Sequence, residues 1–292
     1  MIASRPADPL FQRTVGIVES AAEQHGFDFQ LAFSGLDPAR ELAWIQRFQA
    51  YNVPAVVLCV PSASCEENLS RLRGSMPQFL FFWGVPTEKS FPYIAVDERQ
   101  MAMRATQYLL SLGHRRIGLV ISLYKEEQRR SERLEGYAAA LREYGLDMDR
   151  DLLSPIPNDP NLTVEPQDIG RIATRQLLML SEPPTAILYT SDAFAMGGVI
   201  AAQDAGLNVP GDVSIMGLCD TEFSAHMRPA LTTIRQPFVE AGRLAEIFFE
   251  QIARQTRIQS CQHILQTELV IRSSCASPPG FSRARAATFS NT

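Results

Sequence analysis

Apolar and polar positions in this chain alternate between two periods. Over residues 10–25, Phe11, Val15, Val18 and Ala22 fall on one helical stripe, and Gly26 follows where a left-handed residue stops a helix. Asp37 before Pro38 has the form of an N-cap and first-turn proline, opening a helix in which Leu42, Ile45 and Gln49 recur three and four positions apart. Residues 53–60, 78–83 and 116–121 are apolar runs that predict buried strands, with a shorter one at 93–96. Between and after them the pattern predicts helices at 66–73, 98–113 (capped by Asp97), 132–144 (ended by Gly145), 167–180, 192–205 and 239–253.

Further strands are expected at 185–190, 213–218 and 264–271. Residues 147–166 hold prolines at 155, 157, 160 and 166 and predict a long loop with one short strand near Leu153. Apolar strands alternating with covering helices imply an α/β fold with parallel sheets. Met1, Ile2 and Ala3 read as the end of a strand whose earlier residues are absent, which would leave a sheet edge incomplete. The aperiodic stretch 275–292 predicts a disordered tail.

Composition narrows the class. With 292 residues, 46% hydrophobic and 20% charged, the chain fits one large or two ordinary globular domains. A net charge of -5, from 27 basic and 32 acidic residues, with no concentration of arginine, argues against tight DNA binding by this chain itself. No apolar run is long enough to cross a bilayer and no signal core opens the sequence, which favours the cytoplasm. Five scattered cysteines do not suggest a disulfide framework, and neither they nor the four histidines show zinc spacing. No metal or other cofactor is expected.

Catalytic signatures are missing as well. There is no G-x-G-x-x-G after a strand, no phosphate loop, no G-x-S-x-G elbow and no histidine pair for a metal hydrolase, so an enzyme is not expected. Polar residues do fall just beyond the carboxyl ends of predicted strands, where open α/β sheets bind ligands: Asp8, Tyr124, Ser191, Asp192, Cys219 and Asp220. Each has a plainer reading. Asp192 is most simply the N-cap of its helix, Asp220 forms a turn or binds ligand, and Cys219 is either core or ligand contact.

Arg133 lies one turn into a helix, with Gly136 after it to admit a neighbouring backbone; its fork of donors suits carboxylates, phosphates or vicinal hydroxyls, though a solvated arginine has the same pattern. Phe11 and Phe238, at helix starts beside polar loops, either sandwich a ring-shaped solute or belong to the core. Trp83 closes an apolar strand and reads as packing between subdomains.

Four ordered stretches carry a family resemblance: VDERQMAMRATQYLLSLGHRRIGLV at 96–120, RLEGYAAALREYGL at 133–146, PPTAILYTSDAFAMGGVIAAQDAGLNVPGDVSIMGLCDT at 183–221 and PALTTIRQPFVEAGRLA at 229–245. Over residues 2–274 the sequence resembles the effector-binding region of the lactose/galactose repressor (LacI/GalR) family. The resemblance implies a type 1 periplasmic-binding-protein-like fold of two Rossmann-like subdomains flanking a ligand cleft. It places the first subdomain at 1–96 plus 237–264 and the second at 97–236 plus 265–274, with crossovers near 96–97, 234–237 and 264–266.

The resemblance further implies a small-molecule effector that shifts the affinity of a homodimer for operator DNA, read through an N-terminal helix-turn-helix module not present in this sequence. An exported solute-binding protein of a sugar transporter is the alternative. Position by position, Arg133 matches the family arginine that grips effector, Ser191 a polar contact and Asp192 a structural aspartate. Cys219 stands where the family has an effector-binding aspartate, and Asp220 matches the next residue. A thiol accepts hydrogen bonds poorly, so a free hexose is disfavoured, and loss of the carboxylate opposite a retained Arg133 points toward an anionic effector such as a sugar acid or phosphate.

Overall fold

The computed structural model describes the chain except residues 4–8, 36, 63, 71, 73–76, 89, 123–127, 157–164, 257, 259, 260 and 280–292. In chain order the elements are β1 (Ile2–Ala3), α1 (Pro9–Gln24), β2 (Ala32–Phe33), α2 (Pro38–Ala50), β3 (Ala55–Cys59), α3 (Cys65–Ser70), β4 (Gln78–Phe82) and β5 (Tyr93–Val96). They continue as α4 (Glu98–Ser111), β6 (Ile117–Ser122), α5 (Gln128–Glu143), a 3-10 turn at Arg150–Leu152, β7 (Leu153–Ile156), α6 (Pro166–Leu178), β8 (Ala186–Tyr189) and α7 (Asp192–Asp204). Last come β9 (Ser214–Gly217), β10 (Thr232–Arg235), α8 (Phe238–Ala253), β11 (Gln262–Leu265) and β12 (Glu268–Val270).

Two compact units divide these elements, changing over after Asp97, Gln236 and Gln266. The first holds a parallel six-stranded sheet in the order β11-β5-β4-β3-β1-β2. Strand periodicity sorts its side chains to two faces. Phe79 and Phe81 of β4 join Val56 and Leu58 of β3 against Ile45 and Phe48 of α2, whereas Leu80 and Phe82 join Val57 against α1 and α8. Both faces are apolar because both are covered, the sequence signature of a buried parallel sheet.

In the second unit the sheet order is β12-β10-β9-β8-β6-β7, parallel except for β12, which runs antiparallel to β10. Ile117, Leu119 and Leu188 face one core with Tyr137 of α5; Val120, Ile187 and Tyr189 face the other with Ala173 and Leu177 of α6. Gly136 allows the close approach its type suggested: a Cβ there would collide with the Arg99 carbonyl of α4.

The structure corrects several expectations. β2 and β10 have no counterpart in the apolar pattern; β10 reads as polar, yet Thr232 and Thr233 are wholly buried because their hydroxyls are hydrogen-bonded. The single strand expected at 264–271 is two, β11 in one sheet and β12 in the other. β1 is not at an incomplete edge but is paired on both sides, with β2 and β3. Nor does disorder begin at 275: the Ala276 N–H donates to Ser214 Oγ at 3.0 Å, and the Cys275 thiol points to the Ile215 carbonyl. The rest of that expected tail, from 280, lies outside the described residues.

His114, 1% exposed, fastens this segment. Its Nε2 is 2.9 Å from the Ala276 carbonyl, which must accept, so Nε2 carries the proton and Nδ1 accepts from Thr185 Oγ1 at 2.8 Å. Burial pushes the imidazole pKa down to about 4 from 6.5, only partly offset by the bond to Ala276. Between those values the unfolded chain holds a proton that the folded one does not, so stability falls as pH drops through this window, by at most about 3 kcal/mol. Melting curves from pH 7 to pH 4 should show this loss, and His114→Gln, which keeps an N–H donor without titrating, should flatten it.

Candidate functional site

The chemistry of the second unit gathers at the carboxyl ends of β6, β8, β9 and β10. α7 begins there with Ser191, not Asp192, as N-cap: Ser191 Oγ accepts the Ala193 N–H at 3.3 Å. This replaces the simplest sequence reading of Asp192, whose carboxylate points into the protein and is 0% exposed. Oδ1 accepts from Thr233 Oγ1 at 2.8 Å, and Oδ2 accepts from the Thr221 N–H at 3.0 Å and from Ser224 Oγ.

Burial pushes the Asp192 carboxyl pKa upward, while the bonds from Ser224, Thr233 and Thr221 pull against that. Gly217 leaves the room this requires, since a Cβ there would strike Asp192 Oδ1. Asp192 thereby organises the loop after β9. Thr233 Oγ1, having given its proton to Asp192, accepts the N–H groups of Cys219 at 3.1 Å and Asp220 at 3.3 Å. Cys219 is reduced and buried.

Asp220 is committed elsewhere. Arg235 Nε donates to its Oδ2 at 2.7 Å and Arg272 Nη2 to its Oδ1 at 2.6 Å, with Arg235 also bonded to Glu268. Its backbone takes the left-handed region, φ 54°, that short polar residues tolerate in turns. The turn is real, but the side chain serves the two arginines.

Arg133 is 8% exposed, so the solvated-helix reading does not hold. Its Nε donates to Glu98 Oε2 at 2.7 Å, and Nη1 lies 3.5 Å from the Thr190 carbonyl, at the limit of a hydrogen bond. Among the described residues no acceptor is paired with Nη2. Glu98, the first residue of α4 and itself buried, gives no signal in sequence, because a glutamate in a helix's first turn ordinarily complements the dipole in solvent. Arg130, three positions earlier on α5, has a buried Nε with no partner.

In the first unit, Phe11 and Phe238 are core residues rather than exposed ring faces, both buried in the cluster that includes Trp83 and Phe248. Trp83 meets Phe238 edge-on with centroids 5.6 Å apart, and its indole N–H donates to Thr14 Oγ1 at 2.7 Å, so its packing is within this unit. The Arg13 guanidinium lies 4.3 Å from the Phe238 ring centroid. Glu41 of α2, also unassigned from sequence, is buried and accepts Ser62 N–H at 2.9 Å and Ser62 Oγ at 2.7 Å, holding the loop after β3. Asp8 and Tyr124 lie outside the described residues.

No three metal-ligating side chains converge among the described residues, and no helix of them is long and apolar enough to cross a membrane. Two units built on parallel sheets, with polar residues at the strand ends, define a periplasmic-binding-protein-like effector region, and the model of the periplasmic binding protein-like domain matches residues 106–275. The chain is 29% identical over 272 residues to the HTH-type transcriptional repressor CytR of Escherichia coli, covering 93% of this chain and 77% of that protein. It is 30% identical over 284 residues to an HTH-type transcriptional regulator from the aml 5' region of Streptomyces limosus, covering 94% and 78%. The solved complex of the transcriptional regulator CelR with cellobiose superposes with a TM-score of 0.76 at 26% identity, covering 94% of this chain and 83% of that one. The chain belongs to the LacI/GalR family of transcriptional regulators and is an effector-sensing region of that type.

Asp192→Ala should strand the hydroxyls of Thr233 and Ser224 and the Thr221 N–H, at a cost of about 3 kcal/mol in urea unfolding. Thr233→Val, which removes one of those donors, should cost about 1–2 kcal/mol. Equal, negligible losses for both would show that the loop holds itself.

Proposed function

We propose that this chain senses a small polar metabolite of the sugar class (a sugar, sugar acid or sugar phosphate) and that the bound metabolite alters operator affinity of a cytoplasmic homodimer through an N-terminal helix-turn-helix module. The observation that carries it is Arg133, buried at the carboxyl ends of β6 and β8 with its guanidinium fixed at one edge by Glu98. A buried arginine with donors left over is a recognition group held ready, since orienting it costs nothing further when ligand arrives. Ser191 and Cys219 stand at neighbouring strand ends as the further proposed contacts, and Asp192 holds their loops in place.

Relatives across most of the chain support regulation over transport, since CytR and the Streptomyces protein are both HTH-type regulators and both extend beyond the stretch they share with this chain. They also support a sensing rather than a catalytic role. CelR with cellobiose shows that a relative of this fold takes a sugar.

Calorimetry and thermal shift with ribose, cellobiose, sucrose, gluconate and ribose 5-phosphate test the reading. At least one should bind at a single site, and Arg133→Lys, which keeps a cation opposite Glu98 but loses the planar fork, should weaken that ligand about tenfold or more. A panel without a binder, or affinity indifferent to Arg133→Lys, would sink it.

A further inference from the structure

β1 is shorter than the strand beside it. Ile2 and Ala3 pair with Leu58 and Cys59 at the carboxyl end of β3 and with Ala32 and Phe33 of β2. β3 begins earlier, at Ala55, and on its other side it is paired with β4 from Ala55 onward. Among the described residues no strand is registered against residues 55–57 on the β1 side. In place of one there is a cavity of about 400 Å³, bordered by Met1 at one end and by residues 28–30 and 53–55 along its sides.

This cavity has the walls of a strand position. Val18 and Ala22 of α1 and Phe249 of α8 cover one face and Phe48 of α2 the other, members of the same two apolar layers that cover β1 and β3. Met1 already follows the parallel ladder: its nitrogen donates to the Gln30 carbonyl at 2.6 Å and its carbonyl accepts the Ala32 N–H at 2.9 Å. Carried back in the same register, the next positions lie opposite residues 28–30 on one side and 54–56 on the other, a span of about 10 Å.

We propose that the cavity is a docking slot for an extended segment of this polypeptide immediately preceding Met1, which completes β1 between β2 and β3 and ties an N-terminal module into the core of the first unit. The occupant is a strand and not a small solute, because both long sides are backbone edges whose N–H and C=O groups are met in series only by another backbone. It is apolar toward both faces, since both are covered. It belongs to the same polypeptide because the slot ends at the Met1 nitrogen and continues the line of β1. Burial pushes the amino group of Met1 down to a pKa of about 5 from 8.0, against a smaller upward pull from Cys59. A peptide N–H at that point makes the same bond to Gln30 with no charge to desolvate. The HTH-type relatives also extend beyond the stretch they share with this chain, which covers 77% of CytR. A segment held in this way is part of the sheet and not a free linker, so the module it carries moves with the first unit.

Melting curves and amide hydrogen exchange on the whole chain test this. Val-Ile-Val placed directly ahead of Met1 should raise Tm by about 5 °C or more and slow exchange of the Gln30 N–H about tenfold or more, whereas Asp-Gly-Asp at the same place should do neither. Equal melting temperatures, an equal gain with Asp-Gly-Asp, or unchanged exchange at Gln30 overturns the proposal. Free acetyl-Val-Ile-Val-amide stabilising the unaltered chain as much as the fused residues do would give the slot to a separate molecule and overturns it as well.

Should the extended chain not fold, the reading frame decides. Apolar residues encoded at the two positions directly ahead of Met1 support the proposal, and a stop codon or any other residues there overturn it. The inference rests on the proposed function only in needing a module joined at this end. Failure of the sensing reading shows in the sugar panel and in Arg133→Lys, neither of which touches this slot.

Discussion

A carboxylate taken out of water survives in a fold only where donors replace its hydration, and in the second unit that condition falls on Asp192. Its oxygens draw in Thr233 from β10, Thr221 and Ser224 from the loop after β9, and through Thr233 the backbone of Cys219 and Asp220. One side chain at the start of α7 thus sets the shape of the neighbouring strand ends. The bonds join distant parts of the chain and depend on one another, which holds the loop after β9 in one arrangement.

Glu98 and Glu41 extend the same logic. Glu98 turns a long flexible arginine into a fixed donor, and Glu41 of α2 pins Ser62 after β3 in the first unit. In each case a buried acid is used to orient something else. Such acids contribute little net stability, because desolvation offsets most of the attraction; what they provide is one arrangement where several were open.

The periodic signals carried most of the architecture. Continuous apolar runs marked β3, β4, β6 and β8, and the turn glycines after α1 and α5, Gly26 and Gly145, adopt the positive φ expected of helix stops. What failed has a common cause. β10 is built from threonines whose burial depends on partners forty residues away, and the break between β11 and β12 marks a change of sheet that no local period records. Arg133, Ser191 and Asp192 stood out because residue type and position beyond a strand suffice to flag them. Ser191 takes the capping role first read for Asp192, which turns inward instead, since adjacent polar residues at a helix start differ only in which way they face. Phe11 and Phe238 looked like ring faces because helix starts beside loops are often exposed, whereas tertiary packing buries both.

Glu98 could not be found that way, because a glutamate in the first turn of a helix is ordinarily a solvated residue. Counting charges along a chain treats each arginine as available. Within the fold, availability depends on whether a carboxylate at hydrogen-bond distance has already used the charge, and this is fixed by the packing of α4 against α5, which Gly136 allows by leaving room for the Arg99 carbonyl. A glycine in α5 with no chemistry of its own therefore helps bring Glu98 to Arg133.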